Sequence, residues 1–342
     1  RQRQMCIRDS YLIDRFQRAG CTIQLQDFTH SGDVVSTNVI GVRPGTDFPG
    51  EIVVVGAHYD ARAATPGEDA PGAEDNASGV AAVLHLAELL ESFQPKRTVH
   101  FVAFGCEEYG LLGSEHYVQE ALANGDTIVA ALTMDMISAW VDEFGLWIES
   151  EPPFVDLVDV IAANTVQWTP IPHEIHLNSF GSDHVPFLEA GIPAILALDI
   201  DWDQYADYHL TTDTFDKTDP ALGTEITKVI AGSLADIAGV VLGPTGSPPT
   251  RQLALVGNTP NPFNPRTTVE FTLPDEGRVR LDIFDTRGRR IRVLVDETLG
   301  PGAHSRIWDG TEESGLQVAS GVYLARLQHP TGVRSHTLTL VR

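Results

Sequence analysis

Apolar positions along this chain keep two different rhythms, and the change falls near residue 250. In the first part, short continuous apolar runs alternate with segments whose apolar residues return every three or four positions. Residues 51–56 (Glu51, Ile52, Val53, Val54, Val55, Gly56), 97–104 and 128–133 are runs of the first kind, the pattern of strands buried on both faces. Between the first two, Val80, Val83, Leu84, Ala87 and Leu90 predict a helix over 79–92, with Ser78 placed to cap its first turn. The same spacing predicts helices over about 112–123, 153–165 and 220–241. Strands alternating with helices give an α/β fold, a mixed, mainly parallel sheet flanked by helices. Residues 22–26 and 36–42 are expected to form a lead-in hairpin on one sheet edge.

After residue 250 the period becomes two. Residues 267–273, 279–284, 291–295 and 321–327 alternate apolar with polar, separated by turn residues, which predicts a small all-β immunoglobulin-like sandwich. Charge changes at the same place. Residues 1–250 hold 11 Lys and Arg against 37 Asp and Glu, whereas residues 251–342 hold 12 Arg and 10 acids, within a total of −24. Gly243, Pro244, Gly246, Pro248 and Pro249 mark a linker there. Residues 1–10 read like a translated adapter rather than native chain. The α/β domain is therefore placed at 11–243, the linker at 244–251 and the sandwich at 252–342.

Candidate chemistry sits at the ends of the apolar runs. His58, Tyr59 and Asp60 follow the first run, Glu107 and Glu108 the second, and Asp135 the third. Parallel strands point their carboxyl ends the same way, and ligands bind beyond those ends, so these groups converge. Asp75 stands in the loop entering the 79–92 helix, where amides and the helix dipole favour a carboxylate. Alone it reads as a cap or turn aspartate; with the others, and with His209, it reads as a metal ligand.

Zinc takes imidazole nitrogen and carboxylate oxygen, and two ions about 3.5–4 Å apart can share a bridging carboxylate and water. The inventory supplies His58 with Asp135 for one ion, His209 with Glu108 for the other, and Asp75 between them. Asp60 is placed to take the second imidazole proton of His58 and fix its tautomer. Glu107, left without a metal, suits a general base.

These residues lie in stretches that resemble the M28 zinc aminopeptidases, secreted bacterial di-zinc exopeptidases among them. The matching stretches are Gly56-Ala57-His58-Tyr59-Asp60, Gly72-Ala73-Glu74-Asp75-Asn76-Ala77-Ser78-Gly79, Glu107-Glu108-Tyr109-Gly110-Leu111, Asp135-Met136-Ile137, Ser182-Asp183-His184 and 209–214. The resemblance covers residues 11–243. It implies that His58, Asp75, Glu108, Asp135 and His209 hold two Zn2+ ions, that Glu107 is the base, and that Asp60 orients a histidine. It also implies a non-proline cis peptide between Asp75 and Asn76. Some members place a tyrosine shortly before the Ser-Asp-His motif to support the oxyanion; Ser179, flanked by Phe180, stands there instead, so the donor is open. A disulfide seen near that loop in some members cannot form, since no cysteine follows Cys106.

The remaining histidines carry plainer expectations. His85 and His100 read as packing or hydrogen-bonded core residues, and His173 and His176 flank a loop near the pocket. His184 reads as structural, with Asp183 buttressing the metal shell.

The tail resembles the FlgD-like immunoglobulin modules and related C-terminal sorting domains of secreted bacterial proteins, through residues 258–265, 285–289, Trp308-Asp309-Gly310 and Ser320-Gly321-Val322-Tyr323. The resemblance implies an export, anchoring or spacing module that engages secretion machinery or the cell surface. Carbohydrate binding would rest on Trp308, which reads equally as a core anchor. An acidic catalytic part argues against nucleic acid or anionic membrane as partner. No apolar run reaches the roughly 18 residues of a membrane span, and Cys21 and Cys106 form no disulfide framework.

The expected function is a secreted di-zinc aminopeptidase that removes the N-terminal residue of peptides by attack of a metal-bridging hydroxide with Glu107 as base. Two other readings are a single-zinc glutaminyl cyclase and an inactive surface binding protein; a carboxypeptidase is a variant of the first.

Overall fold

The computed structural model describes residues 2–30, 33–65, 68–140, 144–240, 253–300 and 302–341. Contacts divide the chain into Arg1–Pro244 and Thr245–Arg342. The expected 244–251 linker lies outside the described residues. In the first unit the elements run α1 (Gln2–Arg18), β1 (Thr22–His30), β2 (Asp33–Arg43), β3 (Phe48–His58), α2 (Gly79–Leu90), β4 (Arg97–Phe104), α3 (Leu112–Asn124) and β5 (Thr127–Met134). They continue with β6 (Leu146–Glu149), α4 (Val155–Trp168), β7 (His173–His176), α5 (Val185–Glu189), β8 (Ala194–Asp199) and α6 (Pro220–Ala238).

The strands form one eight-stranded sheet in the order β1-β2-β4-β3-β5-β8-β6-β7. Its centre is parallel, with β3 pairing β4 and β5, and β5 pairing β8. The hairpin β1-β2 adds antiparallel at one edge, and β6 joins β8 antiparallel near the other. Period-two side-chain direction then sorts the core into two layers. Val53, Val55 and Ala57 face one cluster with residues of α1, α2, α4 and α6, while Ile52 and Val54 face a second with residues of α3 and α5. Both faces of β3 are covered, as its continuous apolar run predicts.

Differences from the sequence reading are local. Helix α1 spans Gln2–Arg18 and buries Leu12 and Phe16. His85 is exposed rather than packed, because the buried stripe of α2 runs through Val83, Leu84, Leu86, Ala87 and Leu90. Ser78 does not cap α2. Its hydroxyl donates to the Glu74 carbonyl, and the Gly79 amide is taken by Asn76 Oδ1 instead.

His100 of β4 shares a 2.7 Å hydrogen bond with the Tyr117 hydroxyl, and burial lowers its pKa from 6.5 to about 4. A folded pKa below the unfolded one gives stability that is present above 6.5 and lost as pH falls towards 4. His100→Gln should therefore flatten urea-measured stability across that window by on the order of 1–2 kcal/mol relative to wild type.

The second unit contains β9 (Ala254–Thr259), β10 (Thr267–Leu273), β11 (Gly277–Asp285), β12 (Arg290–Leu299), β13 (Gly302–Trp308), β14 (Gly321–His329) and β15 (Gly332–Leu340). Two antiparallel sheets, β13-β10-β9 and β12-β11-β14-β15, enclose a core that includes Phe271, Leu281, Ile283 and Leu327. Trp308 is fully buried there. Its ring meets Phe263 and Tyr323 and its Nε1 donates to the Thr311 carbonyl, so it is a core anchor and offers no carbohydrate platform.

Candidate active site

Three neighbouring parallel strands deliver the first groups. His58 is the last residue of β3, Glu107 and Glu108 lie in the tight turn after β4, and Asp135 follows β5. Asp75 comes from an irregular helical turn, Ala73–Ser78, broken by non-helical torsions at Asp75 and Asn76 and containing a cis peptide between them. His209 arrives from the long loop between β8 and α6. Cys106, Met136 and His209 all have left-handed backbone, φ 58°, 46° and 56°. Such torsions in non-glycine residues cluster where surrounding structure holds functional groups in place.

The donors form two groups that share Asp75. His58 Nε2 lies 3.3 Å from Asp135 Oδ1 and 3.4 Å from Asp75 Oδ1. His209 Nε2 lies 3.1 Å from Asp75 Oδ2 and 3.0 Å from Glu108 Oε2. Asp75 thus offers one oxygen to each group. Glu107 belongs to neither, and its Oε2 stands 4.0 Å from His58 Nε2.

Asp60 contacts both His58 and the turn after β4. His58 Nδ1 is nearer the Asp60 main-chain carbonyl, 3.2 Å, than its carboxylate, 3.6 Å, because two residues of chain curl the carbonyl back onto the ring. The carboxylate also accepts the amides of Glu107 and Glu108, at 3.0 and 3.3 Å, and so ties the turn after β4 to the loop after β3. Asp135 is held by Ser182, whose hydroxyl donates to Oδ2 at 2.8 Å, rather than by a hydrogen bond from Asp183. His184 is buried and pairs with Glu149, a structural placement. His173 and His176 lie on β7, and His176 stacks on Trp147.

Several supports carried no periodic signal in the sequence. Asp213 accepts the amides of Glu74 and Asp75 and the Tyr205 hydroxyl, joining the His209 loop to the turn that carries Asp75. Its position four residues after His209 was the available clue. Glu149 ends β6 and is fully buried, accepting from the Phe180 amide and Trp147 Nε1; because β6 runs antiparallel to β8, the strand-end logic that found His58 does not reach it. Tyr208 stacks on His209 with ring centroids 3.8 Å apart. Ser179 is engaged elsewhere, its hydroxyl donating to Glu151 at 2.6 Å. A cavity opens beside the donors, walled by Met136, Phe180, Leu196, Leu198, Trp202 and Tyr208.

Gly79 is required by close approach. A Cβ there would stand 2.4 Å from Asn76 Oδ1 and 2.7 Å from the Met134 carbonyl, two acceptors that fix the turn below Asp75. Gly79→Ala should cost about 2–3 kcal/mol in urea unfolding, the range of overpacking a filled site.

The electrostatics describe a donor set built for cations. Burial, then Asp135, Asp183 and Glu108, push the Glu107 carboxyl up to about 10, and burial with Asp75 pushes Glu108 up to about 9. Burial disfavours charge on His58, yet Asp135 and hydrogen bonds to Asp135, Asp60 and Asp75 hold its pKa well above the usual value. Burial would raise Asp75 too, but hydrogen bonds from His209 and His58 lower it. Among the described residues, buried Glu108 Oε1 has no hydrogen-bond partner. Crowded carboxylates, two imidazoles and an unused oxygen fit divalent ions, whose charge reverses this pKa ordering.

The profile of peptidase family M28 matches residues 38–234. Among curated relatives, the aminopeptidase YwaD of Bacillus subtilis is 33% identical over 186 residues, 52% of this chain and 38% of that protein. The leupeptin-inactivating enzyme 1 of Streptomyces exfoliatus is 35% identical over 187 residues, 54% of this chain and 40% of its own length. The chain thus spans about two fifths of these two relatives. Among solved structures, BSAP, a zinc aminopeptidase from Bacillus subtilis, superposes with a TM-score of 0.54 at 26% identity, covering 62% of this chain and 52% of that one.

Proposed function

Since the chain belongs to peptidase family M28 through residues 38–234, we propose that it is a secreted di-zinc aminopeptidase. The observation that carries this reading is the pair of donor groups sharing Asp75 beside an apolar-walled cavity, with Glu107 left outside both. Two groups favour two ions over the single zinc of a cyclase. His58, Asp75 and Asp135 would hold one Zn2+, and Asp75, Glu108 and His209 the other. When bound, the ions polarise the scissile carbonyl and make water acidic near neutral pH.

The chain's own residues do the rest. The first side chain of a peptide rests against Met136, Phe180, Leu196, Leu198 and Trp202. Glu107 Oε takes a proton from the attacking water as the new C–O bond forms, and then passes it to the leaving amine as the oxyanion collapses and the amide C–N bond breaks. The carboxylates beside it attract the free α-ammonium of the substrate. Tyr208 lines the same cavity, its phenol is pushed up first by burial and then by Asp75 and Glu108, and in this reading it donates to the oxyanion that Ser179 does not serve. The sandwich at 252–342, resembling FlgD-like sorting modules, serves export or surface attachment. Among the described residues no helix is long and apolar enough to cross a membrane.

The test is a panel of aminoacyl fluorogenic amides with N-blocked controls, run with and without zinc. Zinc-dependent cleavage of free-amine substrates alone, best with an apolar first residue, is the expected result. Equal cleavage of blocked and free substrates, or cyclisation of N-terminal glutamine with one zinc per chain, would refute it.

A further inference from the structure

Arg62 is a cation among acids. Its Nε lies 4.0 Å from Glu108 Oε2, and its side chain is 47% exposed whereas that of Glu108 is 4% exposed. That distance is beyond a hydrogen bond, and Glu108 is its one ion-pair contact among the described residues. Its loop is fixed against the site, since the Ala64 amide donates to the His209 carbonyl at 2.7 Å. The cavity that would take the first side chain is walled by Met136, Phe180, Leu196, Leu198, Trp202 and Tyr208, and Glu108 lines it too. Arg62, in the loop after β3, is not among the residues lining that cavity and stands beside Glu108 at its edge.

We propose that Arg62 recognises the free α-carboxylate of the second residue, so that the site prefers dipeptides with a free C-terminus. This inference rests on the aminopeptidase reading. A peptide whose first side chain fills the cavity, with its scissile carbonyl at the donors, directs its second residue towards Arg62. In a dipeptide that residue ends in a carboxylate. Glu107, Glu108, Asp75 and Asp135 would otherwise repel this charge, and the planar guanidinium fork suits a carboxylate in paired contact. Once Glu108 is engaged by a cation its charge is neutralised, and the guanidinium is free for the substrate.

The experiment compares leucyl-glycine with leucyl-glycinamide, using the full-length wild type, Arg62→Ala and Arg62→Glu at saturating zinc, with kcat and KM resolved separately. Wild type should favour the free acid about fivefold, the upper range of an exposed ion pair, and chiefly through KM. Arg62→Ala should bring the ratio near one, and Arg62→Glu should invert it. Each ratio is taken within one sample, so loss of folded or metal-loaded protein cancels. An unchanged ratio in Arg62→Ala, or no preference in wild type, overturns the inference while leaving the aminopeptidase reading intact. If zinc-loaded wild type cleaves neither peptide, the aminopeptidase reading falls and this inference with it.

Discussion

Glu107→Gln is expected to keep its metal and lose turnover by about 10²–10⁴, the usual contribution of a positioned general base. Glutamine matches glutamate in shape, so the turn after β4 should keep its amides on the Asp60 carboxylate. Glu107 lies outside both donor groups, so zinc content measured by plasma emission should equal that of wild type. What disappears is the oxygen that accepts and returns a proton. KM should change little, because the apolar walls of the cavity are untouched. Wild-type kcat in this variant would remove Glu107 from the mechanism.

The second large effect is expected at Asp75. It is the group common to both donor sets, with one oxygen 3.4 Å from His58 Nε2 and the other 3.1 Å from His209 Nε2. Asp75→Asn replaces one of those oxygens by an amide nitrogen, which cannot ligate a cation, and removes the negative charge that holds two cations near each other. Zinc affinity should fall by more than the roughly 10–100-fold cost of losing an outer partner of a ligand. Activity should fall with it. Melting temperature measured across a zinc titration should rise steeply in wild type and little in the variant, since only the native site gains from binding. A variant that still held two zinc ions per chain at wild-type affinity would exclude Asp75 as the shared ligand.

Both expectations could be framed from sequence because the informative residues follow strands. The runs ending at Gly56, Phe104 and Thr133 are apolar enough to demand burial on both faces, which demands parallel neighbours, which aligns their carboxyl ends. His58, Glu107, Glu108 and Asp135 were therefore legible as a group before any coordinate. The sandwich was legible for a similar reason, since period-two alternation such as that of residues 267–273 leaves few alternatives.

Less legible were residues whose role depends on contacts remote in sequence. Asp213 reaches the amides of Glu74 and Asp75 across nearly 140 positions. His85 sits inside an apolar helix, but which face of α2 is buried depends on the sheet beneath it. Ser78 has the right type for a cap, yet the break at Asp75 and Asn76 turned the chain so that Asn76 took the amide. Asp60 stays beside His58 and gains partners no local pattern shows, because its carboxylate also accepts two amides of a different loop.

Sequence by itself determined the kind of fold and the chemical inventory: hydrophobic period sets which faces must be buried, and strand ends set where polar groups gather. Only the tertiary structure decided the assignments within that inventory. Which oxygen faces which imidazole, that Glu107 stays outside both donor groups, and that Arg62 stands beside Glu108 all depend on distances of 3 to 4 Å between separate loops. Such distances are set by how the packed layers seat those loops, and no local pattern in the chain encodes them.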